Sequence, residues 1–363
     1  MIDIEKIRAE TPGINFSTHL LACGSSLMPQ SVVDVILEHT QLEALMGGYE
    51  AEEKKIDELN KVYDTVAEHI GAKSHEIALM ENSTVAWSHA FYALPLKSGS
   101  RILTSEAEYA ANYVAFLQRA KRDNLKIDIV PSDQNGTLDI NVLEDMIDES
   151  VGLIAISWIP TNGGLVNPAE KVGQVAKKYN IPYLLDACQA AGQMSINVKK
   201  IECDFLSATG RKFLRGPRGT GFLYIKEKWL DTIEPVMIDH FGAPWVEKNV
   251  YELREDARRF ETWENSYALR AGLGEAINYA EKIGIDLIHE RVQLLAGENR
   301  KLLSEIKKVQ IRDIGMEQCG IISFSIEEKH NPKNIVNQMS DAGFAIGLVD
   351  PESTLIDSEK RNL

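Results

Sequence analysis

The chain of 363 residues carries 39 Lys and Arg against 54 Asp and Glu, a formal net charge of −15. That balance argues against a nucleic-acid surface, since phosphate neutralisation drives such binding, and 44% hydrophobic with 26% charged residues is the mix of an ordinary soluble globular protein. No run approaches the roughly 20 apolar residues of a membrane span, and Met1-Ile-Asp-Ile-Glu5 lacks the basic start and apolar core of a secretion signal.

Taken in chain order, Ile56, Leu59, Val62, Val66 and Ile70 repeat at helical spacing, and Gly71 follows as a C-terminal stop. Residues 77–80, 101–104, 127–130, 153–156 and 183–186 read as short apolar strands. Amphipathic segments at 109–122, 139–148 and 168–179 lie between them. Strand alternating with helix over this length predicts right-handed crossovers and a mainly parallel sheet. After about residue 235 the texture changes to two long helices, 266–283 and 285–307, then strands at 320–326 and 344–349 around a helix at 332–342. The expected organisation is a large α/β domain over 20–235 and a smaller α+β domain from 1–19 and 236–363. The four cysteines, Cys23, Cys188, Cys203 and Cys319, form no C-x-x-C pair, and the eight histidines show no H-E-x-x-H or H-x-H spacing. We therefore expect no metal site, reduced thiols and a cytoplasmic protein.

In a sheet covered on both faces, ligands gather at the C-terminal strand ends. The densest polar constellation there spans Leu184 to Tyr224. An apolar strand ends on Asp186, and Cys188 and Gln189 follow. Lys212 comes 26 residues after Asp186, within Thr209-Gly-Arg-Lys212, and Gly216-Pro-Arg-Gly-Thr-Gly221 closes the stretch. A strand-end carboxylate can hold a protonated ring nitrogen or a metal, or merely cap a turn. A lysine beside Arg211, Arg215 and Arg218 can have its ammonium disfavoured by like charge, or can simply be solvated. Residues 216–221 have neither G-x-x-x-x-G-K-[ST] nor G-x-G-x-x-G spacing, which argues against a nucleotide loop.

The ordered set Asp186, Gln189 and Thr209-Gly-Arg-Lys212 resembles the fold-type I pyridoxal 5′-phosphate (PLP) enzymes of the class V aminotransferase group, which includes the cysteine desulfurases. The resemblance runs from about Leu20 to Glu359. It implies Lys212 as the lysine that carries the cofactor, Asp186 as partner of the pyridinium nitrogen, and Gln189 at the ring hydroxyl. The carboxylate would keep the ring protonated and electron-withdrawing. Thr209 and Arg211 would bind the phosphate, with Ser83 and Thr84 at a helix N-terminus. A plain N-cap would explain either of those two hydroxyls as well. Asn162, in Pro160-Thr-Asn-Gly-Gly164, would reach the ring hydroxyl or else belong to a bare turn.

Segment 104–112 aligns with the desulfurase stretch that carries a catalytic histidine. Ala110 stands at that position with Tyr109 beside it, and Tyr109 is taken as a catalytic candidate. The segment 347–360, where desulfurases carry an acceptor cysteine, has none, which argues against a persulfide-forming enzyme. Gly47-Gly-Tyr-Glu-Ala51, Gly210–Gly219 and Arg259-Phe-Glu-Thr-Trp-Glu-Asn265 resemble a narrower branch containing hercynylcysteine sulfoxide lyases and isopenicillin N epimerase-like proteins. That likeness implies a homodimer with its active site at the subunit interface. Asn265 or Ser266 would approach the neighbouring subunit's phosphate site, and Arg218 would grip a substrate carboxylate or sulfoxide. A structural salt bridge is the alternative for Arg218. In this branch a segment like 351–363 is followed by Arg-x-Ser-x-His-Tyr-Tyr-Asn and a closing helix, so a C-terminally shortened small domain is expected. The expected activity is PLP-dependent C–S lysis of a cysteine conjugate or cysteine sulfoxide. The alternatives are an amino-acid epimerase or aminotransferase, and, in another class, an inactive PLP-fold binding protein.

Overall fold

The computed structural model describes residues 2–327 and 331–361. Residues 1, 328–330, 362 and 363 of the expected small domain lie outside them. Seven strands form the central sheet: β1 (Ile77–Met80), β2 (Arg101–Ser105), β3 (Lys126–Val130), β4 (Val151–Ser157), β5 (Tyr183–Asp186), β6 (Phe205–Thr209) and β7 (Gly221–Ile225), in the order β1-β7-β6-β5-β4-β2-β3. Pairing is parallel from β6 through β5, β4 and β2 to β3, and β7 runs antiparallel to both β1 and β6. Six strands therefore point one way. Their carboxyl ends, with Gly221 at the start of β7, make a single rim.

The five expected strands are present within two residues at each end. The hairpin-like pair β6 and β7 completes the sheet. The apolar pattern is clearest in β4, β5 and β6, whose residues, Gly152 apart, are buried on both sides of the sheet. Such strands read as continuous apolar runs rather than alternating ones.

Helices cover both faces. α1 (Gln30–Met46) and α2 (Gly48–Ile70) pack with α6 (Tyr267–Ile283), and α3 (Ser83–Ala93) and α4 (Ala110–Asp123) lie together on the other side from α5 (Ala169–Lys178). Gly71 ends α2 in the left-handed conformation, φ 71°, with its N–H on the carbonyls of Ala67 and Glu68. Under α3 and α4, Trp87 lies 4.7 Å from Phe91 and 5.3 Å from Phe116, ring centre to ring centre. All three are essentially buried, and each contributes on the order of 2–3 kcal/mol through removal of apolar surface from water.

Past α6, the long helix α7 (Ile285–Ser304) leads to short two-stranded pairings outside the main sheet: Val309–Ile311 with Phe324–Ile326, and Thr18–His19 with Phe344–Ala345. The two expected strands at 320–326 and 344–349 are thus shorter than the apolar pattern suggested. Among the described residues no helix is long and apolar enough to cross a membrane, and no cluster of three His, Cys, Asp or Glu could hold a metal.

Candidate active site

A cavity of about 530 Å³ opens at the carboxyl rim of the sheet, within the size range of small-molecule sites. Asp186 ends β5 on its floor and Lys212 faces it from the turn after β6. That turn is held by Gly216 N–H donating to the Gly210 carbonyl at 2.8 Å and Arg215 N–H donating to the Lys212 carbonyl at 3.0 Å. Gly192, φ 91°, lets the chain after Gln189 lie against it, since a Cβ there would fall 2.3 Å from the backbone of Phe213 and Leu214. Lys212 is buried, and its amine has no hydrogen bond or ion pair among the described residues.

The Asp186 carboxyl accepts from Cys188 N–H and from the Asn112 amide, both at 2.9 Å. Burial pushes its pKa above the usual carboxylate range, while those two hydrogen bonds and the Lys212 charge pull the other way. Gln189 donates its amide to the Cys23 carbonyl at 3.2 Å and to the Thr161 hydroxyl at 3.4 Å. Its side-chain oxygen is buried with no partner, and the cavity is lined by this residue. A buried polar atom left alone in this way calls for a ligand or water.

At the other end of the cavity, Asn82 caps α3 by accepting from Val85 N–H at 2.9 Å. The first-turn N–H groups of Ser83 and Thr84 have no intrahelical acceptor, which makes an anion seat. Both residues line the cavity; Thr84 is exposed, and the Ser83 hydroxyl donates to Ser207 at 3.1 Å. Gly221 permits this closeness, because a Cβ there would lie 2.9 Å from the Asn82 backbone. Thr209 lines the same wall with its hydroxyl on the Thr220 carbonyl at 3.0 Å, and Arg211 is anchored on the Gly24 carbonyl.

Tyr109, the N-cap of α4, lines the cavity half-buried, and Ala110 does not line it. Burial raises the Tyr109 hydroxyl pKa above its ordinary value, with Cys188 and Asp186 adding to the effect. Arg218 is exposed on the cavity wall and makes no ion pair among the described residues, so the salt-bridge alternative is not formed there.

Two expected positions lie elsewhere. Asn162 does not line the cavity, because its amide is spent on the Asp350 carbonyl at 2.7 Å and the Thr354 hydroxyl at 2.9 Å. Its neighbour Thr161 takes the place at the wall. Asn265 borders an adjoining, narrower pocket of about 50 Å³ that shares Glu81, Val85 and Gly219 with the cavity, and donates to the Trp263 carbonyl at 3.2 Å. Reasoning from the sequence missed Asn112, Ser157 and the buried Glu108. The one available signal was that Asn112 sits a helical turn after Tyr109 and so returns to the same side.

A buried lysine without a partner, a buried carboxylate opposite it, an orphaned amide oxygen and a helix N-terminus with hydroxyls fit PLP. A model of the family described as Aminotransferase class-V matches residues 18–347. The chain belongs to that family. It is a PLP-dependent enzyme of fold type I, and the inactive-scaffold alternative is set aside. The chain is 26% identical over 343 residues to a probable cysteine desulfurase of Pyrococcus abyssi, covering 93% of this chain and 85% of that one. The solved apo structure of a cysteine desulfurase from Thermococcus onnurineus NA1 superposes with a TM-score of 0.92 at 26% identity, covering 100% of this chain and 91% of that one. A cystine C-S lyase, C-DES, solved with cysteine persulfide, shares the fold with a TM-score of 0.88 at 20% identity, covering 97% of each chain.

Proposed function

We propose that this enzyme is a C–S lyase that eliminates the β sulfur group of a cysteine conjugate or cysteine sulfoxide, in the manner of the hercynylcysteine sulfoxide lyase branch. Its similarity to desulfurases supports cysteine-derived substrates. One observation favours elimination over persulfide formation. The segment 350–361 docks on the loops at the cavity rim, through Asn162 to Asp350 and Thr354 and through Lys360 to Glu106 at 2.7 Å, and it contains no cysteine. Cys188, which does line the cavity, has its thiol held neutral by burial.

The residues divide the work as follows. Lys212 would hold the cofactor and, with its amine free, would remove the α proton as general base. Asp186 keeps a proton on the ring nitrogen, and Gln189 turns its unpaired amide end to the ring oxygen. Ser83, Thr84, Thr209 and Arg211 seat the phosphate. The bound cofactor supplies the electron withdrawal that makes the α proton acidic. Tyr109, a phenol that carries its proton at neutral pH, would donate a proton to the departing sulfur. Arg218 presents a fork of donors to the substrate carboxylate or sulfoxide. The net reaction would consume one water and yield pyruvate, ammonia and the protonated sulfur leaving group.

We place this activity in a cytoplasmic homodimer. Leu37, Leu45 and Met46 on α1, with Trp245 and Val246 on the 245–251 hairpin, are exposed apolar groups suited to a second copy. In such a dimer Asn265 would approach the neighbouring phosphate site. The test is stoichiometric pyruvate from cysteine S-conjugates and sulfoxides without protein persulfide. A requirement for a 2-oxo acid, or racemisation without pyruvate, would refute the lyase in favour of an aminotransferase or epimerase.

A further inference from the structure

Beneath the cavity floor lies a second carboxyl that the chemistry above does not use. Glu108 is 3% exposed, in the loop between β2 and α4. One of its oxygens accepts from Tyr109 N–H at 2.9 Å, the Asn112 amide at 2.8 Å and the Ser157 hydroxyl at 2.6 Å. The other accepts from the Thr104 hydroxyl at 3.1 Å and Ser157 N–H at 2.9 Å. The same Asn112 nitrogen that donates to Glu108 also donates to Asp186 at 2.9 Å. An amide nitrogen carries two hydrogens, and here each goes to a different carboxyl group. This fixes which way round the Asn112 amide sits: turned over, it would set its oxygen against two acceptors.

We propose that Glu108 is a positioning residue for Asp186, acting through the Asn112 amide. Glu108 locks Asn112 with its NH2 group inward, and Asn112 with Cys188 N–H then holds the Asp186 carboxylate with one lone pair on each oxygen still free for the ring nitrogen. The inference rests on the cofactor reading given above. What serves is an acceptor oxygen on the Asn112 side, which Glu108 supplies whether or not its other oxygen carries a proton. A leucine at 108 offers Asn112 no acceptor and leaves its amide free to turn over and set its oxygen against Asp186.

The experiment titrates PLP into the wild-type apoprotein and into Glu108→Leu, Asn112→Ala and the double variant. It follows PLP affinity and the pH midpoint of the cofactor's visible absorbance, with thermal melting of each apoprotein as a check on folding. Each single variant is expected to weaken PLP binding by about tenfold, the scale of one lost hydrogen bond to a charged group. Each should also move the absorbance midpoint upward, because a ring nitrogen less firmly protonated withdraws fewer electrons. The double variant should lose no more than Asn112→Ala alone, since both act on one path. Unchanged affinity and midpoint in folded single variants, or full additivity in the double, would overturn the relay. If Glu108→Leu does not fold, Asn112→Ala decides on the same two readouts. Failure of the wild-type protein to take up PLP would overturn the cofactor reading and the relay with it.

Discussion

The buried carboxyl of Glu108 makes the stability of the apoprotein depend on pH in a defined direction. Burial raises its pKa from 4.5 to about 7, against the hydrogen bonds from Ser157, Asn112 and Tyr109, and nearby Asp186 adds to the rise. A carboxyl whose pKa is higher folded than unfolded binds its proton more tightly in the native state. The stabilisation is therefore fully present below the unfolded value and is lost as pH rises through the folded one. At about 1.4 kcal/mol per unit, the loss between pH 5 and pH 8 comes to about 2.5 kcal/mol.

The perturbation is Glu108→Gln, which cannot ionise. It leaves one buried N–H without an acceptor, at a pH-independent cost of about 1–3 kcal/mol. Urea unfolding of both apoproteins at several pH values isolates the residue, because every other titrating group is common to the two. Wild type should be the more stable near pH 5, and its advantage should shrink by about 2.5 kcal/mol on going to pH 8. A constant difference across this range would refute the reasoning, and so would a gap that widens with pH.

Two further outcomes test the geometry of the site. Gly192→Ala would force a Cβ to within 2.3 Å of the Phe213 and Leu214 backbone at a φ of 91°; the strain and overlap together should cost about 3 kcal/mol, read in chemical unfolding, and PLP affinity should fall because Lys212 adjoins the displaced backbone. Arg218→Ala should raise KM for a cysteine conjugate by about tenfold through loss of a charge-assisted hydrogen bond, with PLP affinity unchanged in a spectral titration. An unaltered KM would remove Arg218 from the substrate site.

The parts of this site that could be read in the sequence share one property: they lie close together in the chain. Asp186, Gln189, Thr209, Arg211 and Lys212 fall within 27 consecutive positions, and all five line one cavity, because β5, β6 and the turn after β6 are neighbours in space as well. The strands were legible for a similar local reason, since burial on both faces leaves a continuous apolar run. What escaped depends on contacts between distant segments. Asn112 meets Asp186 across 74 positions, and a polar residue on the first turn of an amphipathic helix looks solvent-facing until the strand end beside it is known. Asn162 fails for the converse reason. It does follow a strand, but its amide is claimed by Asp350, 188 positions away, so the neighbouring Thr161 faces the cavity instead.

The same distinction explains Tyr109. Aligning a motif located a lost histidine and left two candidates, Ala110 and Tyr109. The turn into α4 decides between them: Tyr109 is the N-cap, in extended conformation with ψ 136°, and Ala110 already belongs to the helix. The cap residue lines the cavity and the first helical residue does not. A phenol, which carries its proton at neutral pH, thus stands on the cavity wall. In that state it can protonate a leaving sulfur but cannot first take the proton from a thiol substrate. The preference proposed above for sulfur conjugates over free cysteine therefore draws on the backbone at one residue as well as on the absence of a cysteine in 350–361.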